Sequence, residues 1–307
     1  MNIDLVSRAA DAYLQTAESP DAARLRFLEG LWDIQYSVES VNRPYTAPES
    51  DVARDAIVSG QPLFFASPPE VPIAEYVDTV SRIAHYASEM AGLPAEQASA
   101  LRDADFAAAI DGERLATAVH SASMFAADVT KQMGAEPDGA LTPATVAFVL
   151  ISALVPFLTG PSRAAMESLG EFDGRAWPAG RCPICGEAAA LGRMGESTQL
   201  QGAERTLWCG LCHGEWGYER IRCVRCGTRS PGRLRYNHVE GDAAHRVHLC
   251  EECHGYAKFV FTDDLDKPLS MVVEDAMTTT LDAVALSIGY TATGDGGAGS
   301  CRGSQRP

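Results

Sequence analysis

The sequence predicts an α+β protein, with an N-terminal all-α helical domain, two tandem four-cysteine metal ribbons and a closing C-terminal helix. Three observations carry this. Eight of the nine cysteines form four Cys-x-x-Cys pairs: Cys182/Cys185, Cys209/Cys212, Cys223/Cys226 and Cys250/Cys253. Before them, apolar residues recur at three-to-four-residue steps and alternating strand-like stretches are scarce. After them, Phe259-Val-Phe-Thr262 reads as a last strand and Val272 to Ile288 as one helix.

The helical reading of residues 1–170 rests on several local signals. Ser19-Pro20-Asp21 is a start signal, followed by Leu25, Leu28, Leu31 and Trp32 on one face. The Pro-rich linker Gln61 to Pro72 breaks the pattern, and Ile73, Tyr76, Val77, Val80, Ile83 and Ala87 resume it. Two further helices are expected over Ala95 to Ile110 and Asp111 to Met133. The longest apolar run, Ala144 to Leu158, is too short to span a bilayer and holds Ser152 and Pro156, so it reads as a buried helix. Thr142 and Pro143 supply its N-cap and first-turn proline. Gly170 to Gly180 is the boundary loop, residues 171–261 the ribbons (about 178–219 and 220–261), and residues 262–291 the closing helix. The tail 292–307 is too poor in apolar residues to order, and its Cys301 reads as an incidental thiol.

The ribbons are a duplicated module. There are 23 residues between Cys185 and Cys209 and again 23 between Cys226 and Cys250, and a shift of 41 lays the first unit on the second. Cys182-Pro-Ile-Cys-Gly186 then aligns with Cys223-Val-Arg-Cys-Gly227, and Cys209-Gly-Leu-Cys-His-Gly214 with Cys250-Glu-Glu-Cys-His-Gly255. A Cys-x-x-Cys followed by glycine turns two thiolates toward one point, and two such knuckles complete a tetrahedral site. The expectation is two metal ions, one held by Cys182, Cys185, Cys209 and Cys212 and the other by Cys223, Cys226, Cys250 and Cys253. Iron and zinc both accept four thiolates, so the ligands leave that choice open.

Other cysteine chemistries fit less well. Cys209-Gly-Leu-Cys-His213 and Cys250-Glu-Glu-Cys-His254 match the c-type haem motif, but haem would leave the Cys182 and Cys223 pairs without a purpose. A redox dithiol needs one pair near a βαβ pattern, not four. Met1-Asn-Ile-Asp-Leu-Val shows no secretory signal, so a cytoplasmic location is expected, where paired cysteines bind metals rather than each other.

Charge is unevenly spread. The chain carries −16, yet residues 176–260 hold 11 Lys+Arg against 9 Asp+Glu, which disfavours a nucleic-acid binder. Arg220, Arg222, Arg225, Arg229, Arg233 and Arg235 form a run that is either a docking patch or the counter-charge to tetrathiolate sites of about −2 each. His213 and His254 are either donors to thiolate sulfur or polar residues on exposed knuckles, while His238, His245 and His248 read as solvated loop residues. His85 and His120 read as surface or satisfied core groups on helices, and Trp208, Trp216 and Tyr256 as packing. There is no phosphate loop, nucleophile elbow or His-Glu-x-x-His, and closed four-sulfur sites keep no open position, so no enzyme activity is expected.

A helical domain followed by Cys182-Pro-Ile-Cys-Gly186, Cys209-Gly-Leu-Cys-His-Gly-Glu-Trp216, Arg222-Cys-Val-Arg-Cys226 and Cys250-Glu-Glu-Cys-His-Gly-Tyr-Ala-Lys258 resembles the formate dehydrogenase accessory protein family, FdhE type. Weaker echoes are Phe27-Leu-Glu-Gly-Leu-Trp-Asp-Ile-Gln35, Pro62-Leu63, Leu281-Asp282 and Gly289-Tyr290. Asp263 to Met271 and Asp275-Ala-Met-Thr-Thr-Thr280 depart from the family pattern. The resemblance implies a cytoplasmic maturation protein with rubredoxin-like metal centres. Such proteins bind the catalytic subunit of formate dehydrogenase, a molybdenum or tungsten enzyme, and are needed for its activity. Two other classes compete: a rubredoxin-like electron-transfer protein, for which the helical domain is more than is needed, and a zinc-ribbon nucleic-acid binder, which the overall acidity disfavours.

Overall fold

A computed structural model of the chain describes residues 1–16, 19–39, 41, 44–170, 177, 180–195 and 204–293. They fall into two compact units. One comprises Met1–Phe172 with Pro183–Glu187 and Leu211–Gly214, the other Asp173–Cys182, Ala188–Gly210 and Glu215–Pro307. Residues 294–307 with Cys301, and most of the expected boundary loop, lie outside the described residues.

The first unit is built of α1 (Ile3–Leu14), α2 (Ser19–Glu39), α3 (Ser50–Val58), α4 (Leu63–Ala66), α5 (Ile73–Met90), α6 (Ala95–Arg102), α7 (Phe106–Ala109), α8 (Gly112–Ala118), α9 (Ala122–Gln132) and α10 (Pro143–Ser168). Helix α10 is central and packs on α2, α5 and α9. Its start is the expected one, with Pro143 in the first turn and the Thr142 hydroxyl accepting from the Thr145 amide. The helix continues well past the apolar run to Ser168, so it has the length and composition of a membrane span. Length therefore does not argue against a span, contrary to expectation; what the helix does show is burial of Val146, Val149, Leu150, Leu154, Phe157 and Leu158 within its own unit.

Two prolines sit inside α10, Pro156 and Pro161. Pro156 has no N–H, so the Ser152 carbonyl one turn earlier loses its helical donor. The buried Gln35 of α2 replaces it, its Nε2 donating to that carbonyl at 2.8 Å. Nearby, a Cβ on Gly30 would lie 2.2 Å from the Tyr86 hydroxyl, so glycine is what lets Tyr86 stack on Phe27 (5.4 Å) and donate to its carbonyl (2.8 Å).

The structure corrects three element expectations. The two helices expected over 95–133 are four, because Asp105, Asp111 and Ser121 each accept from an amide three residues on and start a new helix. The linker 61–72 contains the turn α4. The single closing helix is two, α11 (Met271–Met277) and α12 (Thr279–Ser287). The break falls in the β-branched run Thr278-Thr-Thr280, where the Thr278 hydroxyl donates back to the Glu274 carbonyl at 2.8 Å.

The second unit holds one six-stranded sheet: β1 (Leu191–Gly195), β2 (Glu204–Trp208), β3 (Glu215–Gly217), β4 (Leu234–Asn237), β5 (His245–Cys250) and β6 (Tyr256–Phe261), in the order β3-β2-β1-β6-β5-β4. The duplication is visible in it. The shift that superposes the cysteines carries Glu204 of β2 onto His245 of β5 and Glu215 of β3 onto Tyr256 of β6. Each repeat is an antiparallel three-strand ribbon, and the two are joined by parallel pairing of β1 with β6, Leu191 opposite Lys258. Helix α12 packs on β5 and β6 through Leu281 and Ala285 against Val247, Leu249 and Tyr256.

Candidate metal centres

Each Cys-x-x-Cys turn ends in a left-handed residue. These are Gly186 (φ 84°) and Gly227 (φ 76°) after the first pair of each repeat, and His213 (φ 59°) and His254 (φ 53°) after the second. A histidine pays for that conformation where glycine does not, and its recurrence at equivalent positions marks one shared turn geometry. In the second repeat the turns close with Gly227 N donating to Cys223 O (3.1 Å) and His254 N to Cys250 O (2.9 Å).

The turns bring the eight cysteines into the two expected sets, Cys182, Cys185, Cys209 and Cys212 in one and Cys223, Cys226, Cys250 and Cys253 in the other, with the sulfurs of each set within 4.8 Å of one another. In the second set Cys223 to Cys253 and Cys226 to Cys250 are each 3.8 Å. Four sulfurs placed about 2.3 Å from a common zinc ion stand roughly 3.8 Å apart, whereas a disulfide is about 2 Å long. The spacing is that of a tetrathiolate. Electrostatics agrees: burial opposes ionisation of Cys223, but the amides of Cys226 and Arg225 hold its thiol below the ordinary value. Burial and the Cys223 charge then push Cys253 up to about 12 and Cys226 further. Four ionised thiols here need a cation among them, so the residues fit a metal ion such as iron or zinc. The first set is buried throughout, while Cys226 and Cys253 are half-buried.

The surroundings of the two sets differ. In the helical unit, α4 meets the first knuckle: Leu63 N donates to Pro183 O (2.9 Å) and Phe64 N to Ile184 O (2.8 Å), and Pro62 and Phe65 face Gly186. Gly214 faces Ser162 and Ile184. His213 is half-buried there and its pKa falls to about 4 through burial, leaving it neutral. In the sheet unit, the chain after α12 covers the last knuckle, with Thr291 N donating to His254 O (2.8 Å) and Tyr256 N to Thr291 O (3.0 Å). His254 is exposed with its ring 5.6 Å from Tyr290. Asp282 accepts from the Tyr256 hydroxyl and from the buried Lys258, both at 2.8 Å.

The arginine run divides. Arg229 makes two 2.6 Å bonds to Glu219, Arg222 lies 3.5 Å from the same carboxylate, and Arg235 pairs with Glu251 at 3.1 Å. Arg225 donates to Tyr256 O and Ala189 O, and its backbone N–H reaches Cys223 Sγ at 3.3 Å. Trp208, Trp216 and Tyr256 are buried.

Two polar centres were not expected from the sequence. Arg205 of β2 is buried; its Nη1 donates to the carbonyls of Glu219 (3.2 Å), Arg220 (3.0 Å) and Arg222 (2.9 Å), and its guanidinium lies 4.3 Å from the Phe259 ring centre. It thereby holds the strap that leads into Cys223. His245, expected in a solvated loop, is instead a buried member of β5, with Nδ1 2.8 Å from Asp242 and Nε2 2.7 Å from the fully buried Glu274. Burial disfavours its charged form, but the bonds to Asp242 and Glu274 outweigh this and raise its pKa to about 9.

No family model matches the chain. Among curated proteins it is 34% identical to a protein FdhE homolog of Shewanella oneidensis over 113 residues (36% of each chain) and 36% identical to that of Stutzerimonas stutzeri over 110 residues (36% of this chain, 35% of the other). With the Aquifex aeolicus protein FdhE homolog the identity is 29% over 146 residues, 47% of this chain and 48% of the other. These matches span about a third to a half of the relatives' length. The crystal structure of the FdhE protein from Pseudomonas aeruginosa has the same fold, with a TM-score of 0.60 over 95% of this chain and 94% of that one at 22% identity.

Proposed function

Since this chain belongs to the FdhE family, we propose that it is a cytoplasmic accessory protein that binds the catalytic subunit of a molybdenum or tungsten formate dehydrogenase and is needed for that enzyme to become active. In this reading Cys182, Cys185, Cys209 and Cys212 ligate one metal ion and Cys223, Cys226, Cys250 and Cys253 a second. The observation that carries a non-catalytic role is that each cluster offers four thiolates and so fills the tetrahedral shell of an ion. A metal held that way orders the knuckles and binds no substrate. The recognition surface is then the ribbon module that the metals hold together.

The test is deletion of the gene under conditions where formate dehydrogenase is expressed. Formate oxidation should fall while the enzyme's transcript stays constant, and the tagged protein should copurify with the catalytic subunit. Normal formate oxidation in the deletion strain would refute the assignment. The half-exposure of Cys226 and Cys253 favours, as a second reading, electron transfer through iron at that site. That reading requires loss of function when zinc replaces iron in the folded protein.

A further inference from the structure

Beside the second cysteine set the sheet unit has a cleft of about 30 Å³. Four arginines line it, Arg205, Arg220, Arg222 and Arg225, and no Asp or Glu is among its lining residues. Cys223 and Cys250 line it too, and a divalent ion on their site would leave about −2 there. Glu219 adds one negative charge, shared by Arg222 and Arg229. Set against the five guanidiniums, this leaves about two positive charges over.

The hydrogen-bonding capacity is also unfilled. Arg205 is 4% exposed and three carbonyls occupy its Nη1, yet its buried Nε has no partner among the described residues. Arg225 is committed to the carbonyls of Tyr256 and Ala189, so it contributes charge rather than free donors. Arg220 is exposed at the cleft. We propose that this cleft binds a carboxylate, its two oxygens held by the guanidiniums of Arg205, Arg220 and Arg222. Guanidinium edges match a carboxylate's paired oxygens. The space holds roughly two water-sized groups, room for a carboxylate's two oxygens. The apolar stem of the anion would meet Leu234 and Leu249, which line the cleft with Val224, His248 and Tyr256 among others. A carboxylate can arrive as a free short-chain acid or as an Asp or Glu side chain of another protein.

The test uses the full chain loaded with zinc and follows its arginine Nε–H resonances by NMR during titration with sodium acetate, with an N-acetylated Asp-containing tripeptide amide, and with inorganic phosphate. A saturable downfield shift of one buried Nε–H is expected with a carboxylate probe. It should weaken at least tenfold in Arg220→Glu, an exposed position whose change should leave the metal-to-protein ratio intact, and stay unchanged in Arg235→Glu outside the cleft. Acetate binding as tightly as the peptide assigns a free acid. Peptide binding tenfold tighter assigns a protein side chain. Absence of a saturable shift with both carboxylates, equal shifts in wild type and Arg220→Glu, or tighter binding of phosphate than of acetate would each overturn the proposal.

Discussion

Replacing Gln35 with alanine should destabilise the helical unit, and the cost should depend on Pro156. The Gln35 side chain donates to the Ser152 carbonyl at 2.8 Å, the acceptor that Pro156 leaves without a helical donor. Losing that donor leaves a partly buried carbonyl unsatisfied, at about 1–2 kcal/mol, with a smaller addition for the lost packing of a side chain that is 6% exposed. With a urea m-value of about 2 kcal/mol/M, the midpoint followed by helical circular dichroism should fall by roughly 0.5–1 M. Pro156→Ala restores an N–H at residue 156, so Ser152 recovers its partner within α10. In that background Gln35→Ala should cost only the packing remainder, a coupling of about 1 kcal/mol in the double-mutant cycle. An equal cost of Gln35→Ala with and without Pro156 would refute the reasoning.

Metal analysis of Cys185→Ser and Cys226→Ser should show one metal lost from each and one retained; loss of both from either single change would refute two independent sites. Cys212→Ser should also lower the urea midpoint of the helical unit, to which Leu211–Gly214 belongs, whereas Cys253→Ser should leave most helical circular dichroism unchanged. His245 has its pKa raised to about 9, so its charge stabilises the fold fully below its unfolded value of about 6.5 and this contribution is lost as pH rises through 9. The amount is about 3 kcal/mol, and His245→Asn should flatten the stability profile between pH 6.5 and 9; an unchanged slope there would show that His245 is not the titrating group. Gly30→Ala should cost about 1–3 kcal/mol by driving a methyl group into the Tyr86 hydroxyl, and Tyr86→Ala should relieve it.

What was legible in the sequence is what depends on local spacing. The 41-residue shift contains the strands as well as the cysteines, since it carries β2 onto β5 and β3 onto β6. Thr142-Pro143 announced α10 because a cap acts within one turn. The same signals at Asp105, Asp111 and Ser121 were available and mark the breaks that continuous apolar periodicity hides. Groups whose partners come from far along the chain left no trace. Arg205 looks like any arginine in a strand, because its acceptors are backbone carbonyls of a strap formed only on folding. His245 and Glu274 are 29 residues apart. Pro156 was readable as a defect, but nothing local names Gln35 as its remedy. The parallel joint of β1 and β6 belongs to neither repeat, so no periodicity encodes it.

The echoes outside the cysteines make physical sense once these partners are known. Gly30 and Gln35 serve Tyr86 and α10, Pro62-Leu63 meets the first knuckle, and Asp282 with Tyr290 braces the last. Duplication therefore copied the ligands but not what covers them. In the helical unit, amides of α4 satisfy the carbonyls of Pro183 and Ile184, and Gly214 lies against Ser162. In the sheet unit Thr291 holds the carbonyl of His254 in the last knuckle, and Cys226 and Cys253 are only half-buried. Exposure governs how readily solvent, a chelator or a partner's side chain reaches a thiolate, and donor bonds govern how firmly its turn is held. Any difference in behaviour between the two centres must then come from their coverings, because their ligand sets are identical.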